Sequence, residues 1–289
     1  MTTLPAPRAR RAPFSFARFR GILTHLVLLA VGAFYIFPFL WMVGSSLKTS
    51  GEFFTGGLSI LPAAPQWHNY ADAWSKGNFG TYFFNTVLFA LGSTALLILL
   101  SSAAGYVLAR TNFPGRPAVI GVMLALFFIP GGYTILPLFD LVSRLGLLNT
   151  LWSVIIVVTA GSIIYNTILF SGYFTTLPKE LEEAATMDGA SLPRTFWSVA
   201  LPQATPMIAT VGLFHFMYSW NSFFIPLVFT IGNPKLRTLA VGLQAFIGEN
   251  QTQWTWIAAG AVITILPIML LFFFLQRYFV DAIAGAVKG

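Results

Sequence analysis

The sequence predicts an all-α integral membrane protein with six transmembrane helices, and three observations carry that reading. The chain is 56% hydrophobic and only 9% charged over 289 residues, where a soluble domain carries about 25% charged residues. Six apolar runs are each long enough for the roughly 20 residues that a spanning helix needs. Basic residues divide unequally between the segments joining those runs. With so few polar groups the chain cannot cover a water-facing surface, and a bilayer is the solvent that suits it. The net charge of +7 then acts as an orientation signal, and no nucleic-acid partner is expected. Without cysteine, disulfides, thiolate metal sites and cysteine nucleophiles are excluded. The three histidines, His25, His68 and His215, are scattered, so no metal is expected.

Residues 1–20 form a basic tail of Pro, Ala and Arg, expected to be disordered. The membrane-spanning body then runs over 21–289. Its first span lies within 21–47, uncharged between Arg20 and Lys48. That run is too long for the roughly 7–15-residue core of a cleaved signal and has no small-residue cleavage site after it, so it reads as a retained helix. The second span lies within 77–109. The third starts after Arg116 and reaches toward Asp140; "FFIPGGYTILP" (127–137) should break or bend it, because proline and paired glycines interrupt a helix. The fourth lies within 145–178, the fifth within 195–234 and the sixth over about 254–275. Several of these runs exceed one span and should include re-entrant or interfacial pieces.

Six spans place both termini on one side. Arg8, Arg10, Arg11, Arg18, Arg20, Arg110, Arg116, Lys179, Arg194, Arg277 and Lys288 fall on that side, eleven basic residues, against five (Lys48, Lys76, Arg144, Lys235 and Arg237) on the other. Lysine and arginine favour the cytoplasm, so both termini are expected inside. The longer outer loops are 48–80 and 232–253, the first with Trp67, Tyr70 and Trp74 as interfacial anchors.

Four of the nine acidic residues, Glu180, Glu182, Glu183 and Asp188, fall within nine positions between spans four and five. Pro178 suits a helix start. Glu180, Glu182 and Glu183 suit the first turns, where the helix dipole favours negative charge. Ala184 and Ala185 are strong helix formers, and Gly189 is a natural stop. Ser191 can cap a second short helix that begins with Pro193 and carries Phe196 and Trp197. The expectation is helix, glycine turn and helix on the cytoplasmic face. The residues alone leave two readings open: a solvated loop whose acids balance Lys179 and Arg194, or a knob for a cytoplasmic protein.

This stretch, "EAATMDGASLPRTFWSVALP", resembles the EAA motif of binding-protein-dependent ABC importer permeases. That pattern is Glu-Ala-Ala, three residues, Gly, nine residues, Ile, one residue, Leu-Pro. Glu183, Ala184, Ala185, Gly189, Leu201 and Pro202 match it; Val199 stands where Ile is usual. "AGYVLARTNFPGR" (104–116), "LGLLNTLWSVII" (145–156), "SWNSFFIPLVF" (219–229) and "QRYFVDAIAGAVKG" (276–289) resemble the carbohydrate-importing members of maltose-permease second-subunit type, with Ala282 where Gly is common.

The resemblance implies a six-helix permease of the type I ABC importer kind in a cell inner or plasma membrane. A second homologous permease subunit would complete the path through the lipid. Two cytoplasmic ATPase subunits would bind the ATP, and an extracytoplasmic sugar-binding protein would deliver the solute. The loop at about 178–202 would dock on the ATPase through Glu183, Ala184, Ala185, Asp188, Gly189, Leu201 and Pro202, with Glu183 a candidate partner for an ATPase arginine. Val287, Lys288 and Gly289 would touch the ATPase pair. The solute would be a mono- or oligosaccharide or related polyol, or alternatively another solute such as glycerol-3-phosphate. No cofactor of the chain's own is implied.

Nothing in the chain has the G-x-x-x-x-G-K-[ST] loop that cradles phosphate, so it is not expected to be an enzyme. Trp220, Asn221 and Ser222, an aromatic beside amide and hydroxyl groups, are candidates for the substrate path, or equally for helix–helix hydrogen bonding. His25 and His215, within apolar spans, read as neutral hydrogen-bonding groups before proton relays. A secondary carrier would show repeated halves and mid-membrane charge, and a membrane enzyme would show clustered His or carboxylates; neither pattern is present in the sequence.

Overall fold

The computed structural model describes residues 16–129, 134–244, 247 and 253–287. Among these there is helix and turn and no strand. In chain order the helices are α1 (Phe16–Ser46), α2 (Ser50–Thr55), α3 (His68–Ser75), α4 (Phe79–Arg110), α5 (Arg116–Leu126), α6 (Ile135–Arg144), α7 (Leu151–Thr176), α8 (Glu180–Met187), α9 (Leu192–Thr195), α10 (Leu201–Gln203), α11 (Thr205–Trp220), α12 (Phe224–Phe229), α13 (Leu239–Gln244) and α14 (Trp254–Val287).

Four helices are long and apolar enough to cross a bilayer unaided: α1, α4, α7 and α14. The other two expected spans are interrupted. The third run divides into α5, of 11 residues, and α6, with residues 127–134 between them; Pro130, Gly131 and Gly132 of the expected break lie outside the described residues. The fifth run bends by 77° between its 192–203 part and α11. The cause is local. Pro202 and Pro206 have no N–H to donate, a wide π-type turn occupies Phe196–Ala200, and the chain pivots at Ala204. Residues 192–203 therefore lie nearly across the axis of α11.

The centre is the α4–α7 pair. Its contact is lined by small residues, as membrane helices require when packing replaces the hydrophobic effect as the source of attraction. At Gly105 a Cβ would lie 2.7 Å from Phe170 Cβ, 2.8 Å from Ser171 N and 2.9 Å from Thr167 O. Further along α4, the Ser93 hydroxyl meets that of Ser219 on α11 at 2.9 Å. Thr159 of α7 donates to the Ser93 carbonyl at 3.3 Å, so three helices share one buried polar point. Around this seam lie three apolar clusters. One, toward the α8 end, gathers Leu97, Tyr106, Phe170, Phe174, Phe196 and Val211. The second joins α4, α11 and α14 around Phe79, Tyr82 and Trp220. The third, at the far end of α7, holds Phe89, Val142, Val154 and Phe229.

The most apolar stretch of α1 buries none of its residues within the chain; a helix apolar on all sides is the kind that faces lipid or another subunit.

The loop 48–80 is more ordered than its composition suggests. Lys48 is wholly buried, donating to the Ser59 carbonyl at 2.6 Å with the Trp41 ring 5.9 Å away. Asn69 donates to the Ser46 and Lys48 carbonyls, both at 2.9 Å. Trp67 and Trp74 are exposed. Tyr70 instead turns inward, its hydroxyl 2.6 Å from Ser46 Oγ. On the same end, Asn85 donates to the carbonyls of Lys235 and Arg237 at 2.7 and 3.0 Å, and the Thr86 hydroxyl accepts from Leu239 N at 2.8 Å. Residues 235–239 are thereby tied to the start of α4, at the end of the bundle opposite α8.

Candidate docking surface

The acidic segment folds as helix, turn and helix. Lys179 is the residue before α8, and Glu180, Glu182 and Glu183 occupy its first turn; Pro178, expected in that first turn, instead lies outside the helix, just before Lys179. The stop is a Schellman motif. Ala190 N donates to Ala185 O and Gly189 N to Thr186 O, both at 2.9 Å, while Gly189 takes φ +82°. Ser191 stands at the start of α9 with no side-chain capping bond.

An α-helix places residues i, i+3, i+4 and i+7 on one face. On α8 the outward face carries Glu180, Glu183, Ala184 and Met187, all exposed, and Met187 is 87% exposed. Leu181, Leu192 and Trp197 add exposed apolar surface nearby. Apolar side chains displayed beside carboxylates, at a helix end rather than along the lipid-facing belt, mark a contact surface. Asp188 and Gly189 are exposed at its edge and Ala185 is half-buried. Of the residues that close the motif, Pro202 is exposed in the first turn of α10. Leu201 is half-buried and packs against the cluster of Tyr106, Phe170 and Phe196.

The inward face is organised by Glu182, which the motif does not single out. It is buried, 9% exposed. Arg110, the last residue of α4, reaches its Oε1 through Nη2 at 2.8 Å and through Nε at 2.9 Å. The Tyr106 hydroxyl donates to Oε2 at 2.9 Å. Arg110 Nη2 also donates to the Leu177 carbonyl just beyond α7, at 2.9 Å. Charge-assisted bonds to both oxygens are the strong kind. The signal available in the sequence was Arg110 itself, a lone cation ending an apolar helix opposite an excess of carboxylates. A second arginine, Arg116, donates to the Leu108 carbonyl at 2.9 Å, closing the turn from α4 to α5. Between α8 and the end of α4 lies a cavity of about 310 Å³ lined by Lys179, Glu183, Thr186 and Thr195 with the Tyr106–Arg110–Glu182 group.

The remaining candidates are dispersed. Trp220 is 1% exposed, stacked on Phe216 at 5.4 Å, and donates Nε1–H to the Thr264 carbonyl of α14 at 3.0 Å. In this conformation its ring is packing and is not open to a solute. Asn221 is exposed, donating to Met217 O at 2.7 Å, and Ser222 is half-buried in the break between α11 and α12. His25 is exposed, its Nδ1 2.7 Å from Gly21 O in the same helix. His215 is buried and its Nε2 has no hydrogen-bond partner. Of the C-terminal group, Val287 ends α14, and Lys288 and Gly289 lie outside the described residues.

Apolar spanning helices with an acidic, exposed helix at one end define a multi-pass membrane protein. The chain belongs to the family of binding-protein-dependent transport system inner membrane components, whose model matches residues 97–285. It is 35% identical over 282 residues to the diacetylchitobiose uptake system permease protein NgcG of Streptomyces coelicolor, covering 97% of this chain and 91% of that one. It is 34% identical over 270 residues to the melibiose/raffinose/stachyose import permease protein MelC of Bacillus subtilis, covering 93% and 96%. The maltodextrin transport system permease protein MdxG of the same organism is 32% identical over 272 residues, again covering 93% and 96%. In fold it is similar, with a TM-score of 0.80 and 23% identity over 93% of this chain, to a chain in the crystal structure of a bacterial ABC transporter involved in import of the acidic polysaccharide alginate. It is thus an ABC importer permease subunit of the inner membrane, a class that works with a further permease, an ATPase and a binding protein.

Proposed function

We propose that this chain is the permease subunit of an ATP-driven sugar importer, forming half of the translocation path with a second, homologous permease. Its solute is a mono- or oligosaccharide or related polyol delivered by an extracytoplasmic binding protein, in keeping with relatives named for chitobiose, melibiose and maltodextrin import. The chain hydrolyses no ATP and holds no cofactor; two cytoplasmic ATPase subunits do both. They grip the outward face of α8, where Glu183 pairs with a basic group and Ala184 lets another backbone approach, while the C-terminal 287–289 reaches the ATPase pair. The single observation that carries this reading is the exposure of Glu183, Ala184 and Met187 on a helix whose opposite face is anchored. The chain crosses the membrane six times with both termini inside. Supporting this is the division of the sixteen Lys and Arg residues, eleven in the segments on the side of the termini and α8 and five on the other.

The test is reconstitution in proteoliposomes of this chain with the permease, ATPase and binding protein of its own system. The expected result is ATP-dependent accumulation of a labelled di- or oligosaccharide, with the ATPase co-purifying with this chain. Absence of sugar uptake with an intact, hydrolysing complex would overturn the substrate class. Absence of ATPase retention would overturn the docking assignment.

A further inference from the structure

Helix α8 is eight residues long and joins the bundle through two short links, 177–179 and 188–191. A push on so small an element is transmitted only if something holds it to the spans. The side-chain bonds on its inward face do so, and they converge on α4.

Both oxygens of the Glu182 carboxylate are engaged, Oε1 by Arg110 and Oε2 by Tyr106. Tyr106 and Arg110 stand four residues apart, on one face of the last turns of α4. The side chains of Arg110 and Glu182 are only 6% and 11% exposed, so water competes little for the pair. The same guanidinium holds the Leu177 carbonyl at the end of α7. The Tyr106 ring packs edge-on to Phe174 of α7, with centroids 5.4 Å apart, and against Phe196 of the π-turn at 5.3 Å. One turn of α4 thus collects α8, the end of α7 and the segment that follows α9. It sits beside Gly105, where the backbones of α4 and α7 approach closely.

We infer that Glu182, Arg110 and Tyr106 are positioning residues that make α8 move as one body with the α4–α7 seam, so that force entering at the exposed face reaches the path through Glu182. The neighbouring carboxylates then have separate tasks: Glu183 faces the ATPase, and Glu182 ties α8 to the spans. This inference rests on the proposed docking of the ATPase at α8.

The experiment uses the complete reconstituted complex and reads two quantities, ATPase retained per permease and sugar moved per ATP hydrolysed. Glu182→Gln keeps the shape and removes the charge. Retention should stay within about twofold of the unmodified complex, because the docking face is untouched. Sugar per ATP should fall at least about fivefold. Tyr106→Phe removes a single hydrogen bond and should give a smaller fall, of about twofold; it decides the question where Glu182→Gln does not accumulate. The reversal Arg110→Glu with Glu182→Arg should recover part of the ratio lost in either single change. A ratio unchanged in both Glu182→Gln and Tyr106→Phe would overturn the inference, as would loss of bound ATPase with a normal ratio in the complexes that remain, the result of a purely structural role. If the unmodified complex retains no ATPase, the docking reading itself fails; if it couples normally and Glu182→Gln couples equally well, only the inference does.

Discussion

Gly105 offers the sharpest test of how the bundle is held together. Replacing it with alanine adds one methyl group, which would meet Phe170 Cβ at 2.7 Å, Ser171 N at 2.8 Å and Thr167 O at 2.9 Å. All three lie under 3.0 Å, and two are backbone atoms of α7, so no side chain can swing aside to make room. Overpacking costs about 1–3 kcal/mol, and backbone contacts place this site toward the upper end. Alanine regains about 1 kcal/mol of helix propensity over glycine. The net loss is about 1–2 kcal/mol, or roughly 2–3 °C in melting temperature for a chain of this size. The control is Gly172→Ala on α7, the residue after Ser171, where the added Cβ meets nothing within 4 Å; propensity acts alone there and the change should be neutral or slightly stabilising. The assay is thermal unfolding of each purified variant in detergent, followed by fluorescence-detected size exclusion. Equal melting temperatures for Gly105→Ala and Gly172→Ala would refute the close approach of α4 and α7 as the basis of the seam.

Four further outcomes follow from the site. Glu183→Lys reverses an exposed charge, so protein level should hold; losing a buried interfacial charge pair costs about 2–5 kcal/mol, and ATPase retention should weaken at least about 30-fold by titrated co-purification. A Cβ at Gly189 meets nothing within 4 Å, so the cost of Gly189→Val begins with the left-handed backbone, about 1–2 kcal/mol; uptake should fall, and Gly189→Asn, which tolerates that conformation, should lose less. Trp220→Phe removes the bond to Thr264 O, worth about 1 kcal/mol, and should leave the KM for sugar uptake within twofold, whereas a tenfold rise would put the indole in the path. Deleting residues 284–289 should lower uptake while the spans stay folded; unchanged transport would remove the tail from the ATPase contact.

The membrane class and the main spans were legible because burial in lipid leaves a coarse signature, about twenty uncharged apolar residues, that tertiary packing cannot hide. The two broken spans were legible only as excess length. "FFIPGGYTILP" announced a break; the 77° bend at Ala204 arises from Pro202 and Pro206 acting on either side of it, and prolines that equally suit the first turn of a helix do not by themselves say how far the axis turns. The turn chemistry was readable wherever one residue type decides it: Gly189 takes the left-handed conformation at the end of α8, and Gly146 does the same after α6. Trp220 shows the opposite case. An indole beside an amide has the same spelling whether it stacks on a sugar or donates to Thr264, and only the position of α14 decides between them.

The two carboxylates at 182 and 183 show why the candidate site was half legible. Consecutive residues on a helix point about 100° apart, so the two carboxylates need not share the same surroundings: Glu182 is buried and Glu183 is exposed. Which one turns inward depends on where α4 ends. A carboxylate shielded from water needs a partner, and Arg110, at the end of a helix whose last carbonyls favour a cation, is placed to supply one to the residue that shares a face with Ala185 and Thr186. That residue is Glu182. Had α4 ended one residue earlier, its guanidinium would be turned about 100° and drawn back by about 1.5 Å, and Glu182 would have lost the bond that lets it be buried. The division between the inward and outward carboxylates is therefore set by the length of α4, some seventy residues earlier in the chain, and no reading of the acidic segment by itself contains it.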